Sequence, residues 1–418
     1  MTDIKHPVRR IIVALSLGLL ANVPAGAQRQ VTRADADSVA LSAGTRIALA
    51  RADTAAAIAR LLSARAIPNP TLAASYSKSA PQKHVTLDIP VFDAMWTRNL
   101  RVGQASASAR AARLLFASER IAALVEIDTT YTRALAANAR FRLSRQTALD
   151  ADSLRQMTVR RRDAGDASEL DVDLATVVAG QQLNVATNDS LSYMSALLTV
   201  QTLMGIPADS ITIVLADSLV AQANDTQRVR STPDSNAMSA SIGTPSITAA
   251  EAALHAAELG IALQKRSTYL LPSISVGVEF GDPSGSESGY LPLIGLSVAL
   301  PLFNRNQGPI AEARAERDKT QAQLAATRLE VRQRLVEGTR EREQLIAKIA
   351  RDRDLVIRAQ RVADRSLTAY REGASALPAV LEARRSAREV LGQYIDDLAA
   401  LLTVNTELRA LTQTVPAP

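Results

Sequence analysis

The sequence predicts a mainly α-helical chain organised as two tandem repeats, each built from long helices and one β-hairpin. Three observations predict it: where the prolines fall, a change of hydrophobic period inside the proline-rich islands, and a correspondence between the two halves. The 418 residues are 47% hydrophobic but only 3% aromatic. Ala and Leu carry the apolar content, and both favour helices while adding little bulk. Such a chain packs helix against helix and fills a thick globular core poorly.

Proline disrupts a helix interior, so its spacing shows where long helices are allowed. None occurs between Pro90 and Pro207, or between Pro309 and Pro378. Within these tracts apolar and small residues recur at coiled-coil spacing. Leu324, Val331, Gly338 and Leu345 form one seven-residue ladder; Leu335, Arg342, Ile349, Val356, Ala363 and Tyr370 form another. A helix over about 95–164 would be about 100 Å long at 1.5 Å per residue.

The islands at 68–90 and 272–309 carry a two-residue period instead. Ile274, Val276, Val278 and Phe280 alternate with Ser273, Ser275, Gly277 and Glu279. After a Gly/Ser/Asp/Pro-rich turn, Ile294, Leu296, Val298 and Leu300 alternate with Gly295, Ser297 and Ala299. The first island repeats this with Leu72, Ala74 and Tyr76, then Val85, Leu87 and Ile89 against His84, Thr86 and Asp88. Each island reads as a β-hairpin. Alternation alone fits an amphipathic hairpin lying on a helix equally well. Expected strand lengths of about 9 to 11 residues match a tilted membrane strand, and strands cross a bilayer only within a closed barrel.

The halves correspond in sequence. Ile89-Pro90-Val91-Phe92-Asp93 matches Leu300-Pro301-Leu302-Phe303-Asn304, and the segment from Gly165 to Ala175 matches that from Gly373 to Ala383. A duplicated unit follows: repeat one over about 34–204, a connector over about 205–244 with a strand candidate at Ile211–Leu215, and repeat two over about 245–414. Gly165 and Gly373 interrupt helical tracts where a left-handed residue would let the chain reverse, giving two helical-hairpin tips.

The first 27 residues read as a cleaved export signal. Arg9 and Arg10 precede the apolar stretch Ile11 to Leu20, and Pro24-Ala25-Gly26-Ala27 supplies a small-residue cleavage site. Removing this segment lowers the formal charge from +6 to about +4, a mild excess interleaved with acids, as in Arg340-Glu341-Arg342-Glu343. Solvated helix faces account for that pattern, and nucleic acid is not an expected partner.

The chain has no cysteine, so disulfides, thiolate metal sites and thiol catalysis are excluded. His84 and His255 are remote from each other in sequence and suggest no metal centre. No catalytic constellation is apparent, and neither an enzyme nor a bound cofactor is expected. Four strands are too few for a membrane barrel, whose smallest members have eight. Two copies would supply eight strands and three would supply twelve.

Ile67-Pro68-Asn69-Pro70-Thr71-Leu72, the two Pro-x-Phe strand ends, Tyr370-Arg371-Glu372-Gly373 and the segment from Gly165 through Asp171 to Ala175 together resemble the TolC-like outer-membrane factors, including the cation-efflux branch. The resemblance implies a homotrimer in the outer membrane: a twelve-stranded β-barrel in lipid, continued by an α-helical tunnel through the periplasm. It implies the passive exit duct of a tripartite efflux or type I secretion system. The tips, at Gly165 and Gly373, would meet a periplasmic adaptor and, through it, an inner-membrane pump.

The resemblance also places a gate near the tips. Family acids fall six and nine positions after the second tip glycine, where this chain has Ala379 and Glu382; the first repeat has Asp171 and Leu174 there. Asp171, Glu382 and the aromatic Tyr370 are the expected gate residues. Two departures from the family pattern are a short, weakly patterned region before Pro68 and the lack of a lipid-attachment cysteine. The competing reading is a periplasmic structural coiled-coil protein without channel activity.

Overall fold

The computed structural model describes residues 29–91, 96–209, 213–228, 244–267, 272–283, 285, 289–298 and 302–412. The expected export signal lies outside the described residues, as do Phe92, Asp93, Leu300 and Pro301 of the strand ends. In chain order the elements are β1 (Arg29–Val31), α1 (Arg33–Ala43), α2 (Thr45–Arg65), β2 (Thr71–Tyr76), β3 (Lys83–Ile89), α3 (Arg98–Asp163) and α4 (Glu169–Leu203). There follow β4 (Ile213–Leu215), α5 (Leu219–Arg228), α6 (Pro245–Arg266), β5 (Ser273–Phe280), β6 (Leu291–Ser297), α7 (Gln307–Arg371) and α8 (Leu377–Thr412).

The two proline-free tracts form the longest helices. α3 has 66 residues and α7 has 65, about 100 Å each at the standard rise. α4 and α8, with 35 and 36 residues, run back along roughly half that length. The other half of α3 packs on α2 and α6, and that of α7 packs on α6. Both predicted ladders appear on α7: Leu324, Val331, Leu335, Ile349, Ala363 and Tyr370 are all buried. Gly338, an interruption in the pattern, sits where a Cβ would come within 3.1 Å of Leu408. Its missing side chain lets α8 approach α7 closely.

The sheet has the order β2-β3-β5-β6, antiparallel throughout, so the two hairpins join side by side through β3 and β5. Its strands are 6 to 8 residues long, shorter than the 9 to 11 expected. Proline has no backbone N–H to give to a ladder, and Pro70, Pro90 and Pro272 flank the paired segments.

The register divides the residues by face. Thr71, Ala73, Ser75, His84, Thr86, Asp88, Ser275, Gly277 and Glu279 share one side with Leu291, Leu293 and Gly295. Leu72, Ala74, Tyr76, Val85, Leu87, Ile274, Val276, Val278, Ile294 and Leu296 share the other. That second face is bare within one chain: Leu72 is 72% exposed and Ile294 80%.

The main core lies at a waist where α1, α3, α4, β4, α5, α7 and α8 converge. Two features were not foreseen: β1 pairs in parallel with β4, and the connector contains α5. The connector thus ties the N-terminal segment to the waist. The single Tyr131 O–H is shared between the Val31 carbonyl at 2.9 Å and Asp217 Oδ2 at 2.8 Å. Arg33 pairs with Asp128, donates from its backbone N–H to Asp217 at 2.8 Å, and reaches Thr406 Oγ1 at 3.0 Å.

Asp37 faces this cluster with its Oδ1 buried and unpartnered. Burial first, then the charge of Asp128, push its carboxyl up to about 6 against the pull of Arg33. The folded chain therefore holds that proton more tightly than the unfolded chain. Its stabilising contribution is present below about pH 4 and is lost as pH rises to about 6. Thermal melts of Asp37→Asn should lack this component of the pH dependence.

Candidate functional site: the helical-hairpin tips

Both tips are built the same way. At the first, Asp166 N–H returns to the Arg161 carbonyl at 2.7 Å and Gly165 N–H to that of Arg162 at 2.8 Å. At the second, Ala374 N–H reaches Ala369 at 2.8 Å and Gly373 N–H reaches Tyr370 at 3.1 Å. These paired bonds are a Schellman motif, which needs a left-handed residue just past the helix end. Gly165 at φ +86° and Gly373 at φ +77° supply it. Side chains larger than hydrogen would strain either position.

Tyr370 is the centre of the contact between the two hairpins. It is buried with Leu154, Ala175, Leu377 and Val380. Its hydroxyl lies 3.2 Å from Thr158 Oγ1. The Arg161 guanidinium stacks over the ring, 4.6 Å from its centroid, and also donates to the Tyr370 carbonyl. That carbonyl belongs to the last turn of α7, where helix geometry leaves backbone acceptors without intrahelical partners. One arginine from the first tip thus caps the helix leading into the second.

The two acids are placed differently. Asp171 Oδ2 accepts from the Ser168 backbone N–H at 3.1 Å and from the Ser168 hydroxyl at 2.8 Å, while Ser168 Oγ accepts from Asp171 N–H at 3.1 Å. This is a reciprocal capping box at the start of α4. Glu382 is exposed and lines a groove of about 810 Å³ between α3, α4, α7 and α8. Leu174, the first repeat's counterpart of Glu382, lines the same groove, along with Asp150, Asp364, Arg384, Arg385 and Arg388. Asp171 does not line it. Arg384 donates to the Asp150 carbonyl of α3 at 3.0 Å, and Arg388 donates to the Gln182 side chain of α4.

Around the tips and the groove, Arg161, Arg384 and Arg388 therefore join the second hairpin to the first. Sequence reasoning missed all three. The run Arg160-Arg161-Arg162 is plain, but only the arrival of Tyr370 beside α3 selects its middle member. The capping box was visible as Ser168-x-x-Asp171, a spacing with a known local use.

Comparison with known proteins fits this geometry. Residues 238–413 match the family model described as outer membrane efflux protein. That match spans the second repeat and the end of the connector. The whole chain shares the fold of solved outer-membrane channels. CusC, studied for transmembrane channel formation, aligns with a TM-score of 0.75 and 16% identity over 99% of each chain. VceC, an outer membrane protein of Vibrio cholerae, gives 0.73 and 17% over 91% of this chain and 96% of its own.

The open state of the Neisseria gonorrhoeae outer membrane channel MtrE gives 0.70 and 17% over 91% and 88%. No protein of curated function matches the sequence. The resemblance to the TolC-like outer-membrane factors is borne out, and so is the mainly helical fold with its small sheet. The tips lie at the end of the helical hairpins away from the sheet.

Proposed function

We propose that three copies of this chain close into an outer-membrane exit duct, which passively conducts substrates delivered by a periplasmic adaptor and an inner-membrane pump. One observation carries the reading: a four-stranded sheet with one apolar and one polar face, open at both edges, at the end of helices about 100 Å long. A single chain leaves β2 and β6 as bare edges, which lipid does not tolerate. Pairing β6 of one copy with β2 of the next closes a ring, and three copies give twelve strands, within the range of known barrels. Among the described residues no helix is long and apolar enough to cross a membrane, so the sheet is the part offered to lipid.

The helices support the same assembly. α4 exposes Leu170, Val177, Leu183, Leu191 and Met194, and α7 exposes Leu329, Ile346, Leu355 and Ile357. Apolar stripes of this extent call for a partner surface, and neighbouring copies provide one. The duct is proposed to consist of repeat one over about 34–204, the connector over about 205–244 and repeat two over about 245–414. In it the tips at Gly165 and Gly373 face the adaptor. Detergent extraction from the outer membrane as a heat-dissociable trimer is the expected behaviour. Release as a monomer by osmotic shock would instead support a periplasmic coiled-coil protein.

For the gate, Tyr370 with Arg161 closes the contact between hairpins, and Asp171 and Glu382 contribute negative charge near the narrow end. Threefold symmetry turns each acid into a ring of three, which focuses the field in a narrow pore. The double variant Asp171→Ala/Glu382→Ala should raise single-channel conductance and weaken block by divalent cations in planar bilayers. Unchanged conductance and block would remove both acids from the constriction.

A further inference from the structure

Midway along the second hairpin, well away from the tip, two carboxylates meet inside the α7–α8 interface. Asp352 on α7 is 9% exposed and Asp397 on α8 is 4% exposed. Asp397 Oδ1 accepts from Lys348 Nζ at 2.7 Å and from Gln393 Nε2 at 3.0 Å. Its Oδ2 is buried without a partner, and so is Asp352 Oδ2. The two carboxyl groups interact directly across the helices. Two ionised carboxylates have only acceptors to offer each other; one proton between them satisfies both orphan atoms.

We propose that Asp352 and Asp397 share a single proton across the α7–α8 interface, making the second helical hairpin a proton-dependent clamp. Asp352 is the protonated member and donates its O–H to Asp397. The surroundings support this division. Burial and then the adjacent Asp397 raise the Asp352 carboxyl above the usual carboxylate range. Burial works in the same direction on Asp397, but the hydrogen bonds from Lys348, Asp352 and Gln393 outweigh it and hold that group down.

Other charges facing the pair are few. Lys348 and Arg351 come from α7, and Gln393 on α8 is neutral. The neighbouring Asp396 turns to α3 and pairs with Arg140. Losing the shared proton leaves two buried like charges at one contact, which the interface cannot satisfy with Lys348 alone. Protonation tightens the hairpin and deprotonation loosens it. The inference concerns how the hairpin holds together, and does not depend on what the duct carries.

Infrared difference spectroscopy and hydrogen exchange on the full chain test it. In an Asp37→Asn background, which removes the other raised carboxyl, the chain should show a protonated-carboxyl band above the aspartate reference of about 3.9, and adding Asp352→Asn should abolish it. Corrected for intrinsic exchange, protection of 345–356 and 393–400 should fall about tenfold as the band disappears with rising pH. Asp352→Asn keeps an N–H donor on Asp397 at every pH, so its protection should stay flat. Absence of the band in the Asp37→Asn chain, as when a bound cation bridges the pair, would overturn the proposal. So would the same pH-dependent loss of protection in Asp352→Asn.

Discussion

Val278→Arg should abolish assembly of the chain in the outer membrane, whereas Thr86→Arg should leave assembly intact. The residues lie on adjacent strands of one sheet but face opposite ways. Val278 shares its side with Leu72, Val85, Val276 and Ile294, while Thr86 shares the other with Ser75, Ser275 and Glu279. A lipid-facing arginine near the bilayer midplane costs about 2 to 4 kcal/mol, and a trimer carries three of them. A lumen-facing arginine stays in water. Heat-dissociable trimer in extracted outer membranes is the readout. Equal loss in both variants would show that the sheet has no lipid face.

Arg161→Ala should shift the duct toward its open state more than any other single change at the tips. The side chain makes a cation–π contact with Tyr370 and a charge-assisted hydrogen bond to the Tyr370 carbonyl. Together these are worth about 2 kcal/mol for a half-buried group, or roughly thirtyfold in the closed-to-open ratio of one protomer. Three independent latches would multiply that figure. Tyr370→Phe, which loses only the hydroxyl contact with Thr158 at 3.2 Å, should act in the same direction and more weakly. Open probability in planar bilayers distinguishes them, and an unaltered Arg161→Ala channel would assign the latch elsewhere.

Much of this fold was legible because its largest signals are local. Proline placement gave α3 and α7 nearly to their ends, since a single ring in the helix interior would have broken either. Two-residue alternation gave the hairpins, and the correspondence of Gly165 with Gly373 gave both tips. β4 was legible within the strand candidate at 211–215, but its partner β1 stayed hidden because a strand of three residues is too short to show a period. Nor could a chain reading show that the region before Pro68 is held by Arg33, Tyr131 and Asp217, partners drawn from three distant segments.

The contacts around the tips were legible only in part. Tyr370 and Glu382 come to the hairpin contact and its groove. Asp171 instead has its carboxylate committed to the cap of α4, a local competitor that spacing from the tip glycine does not weigh. Arginine runs look alike in sequence, and only the contact with Tyr370 separates Arg161 from its neighbours.

The central claim is that this chain alone forms a water-filled pore through a bilayer. Single-channel recording of the purified full chain in planar bilayers tests it most directly. The account predicts discrete conductance steps from a trimer, small in the wild type and larger or longer-lived in Arg161→Ala. A bilayer that stays electrically silent with correctly folded trimer present would contradict it.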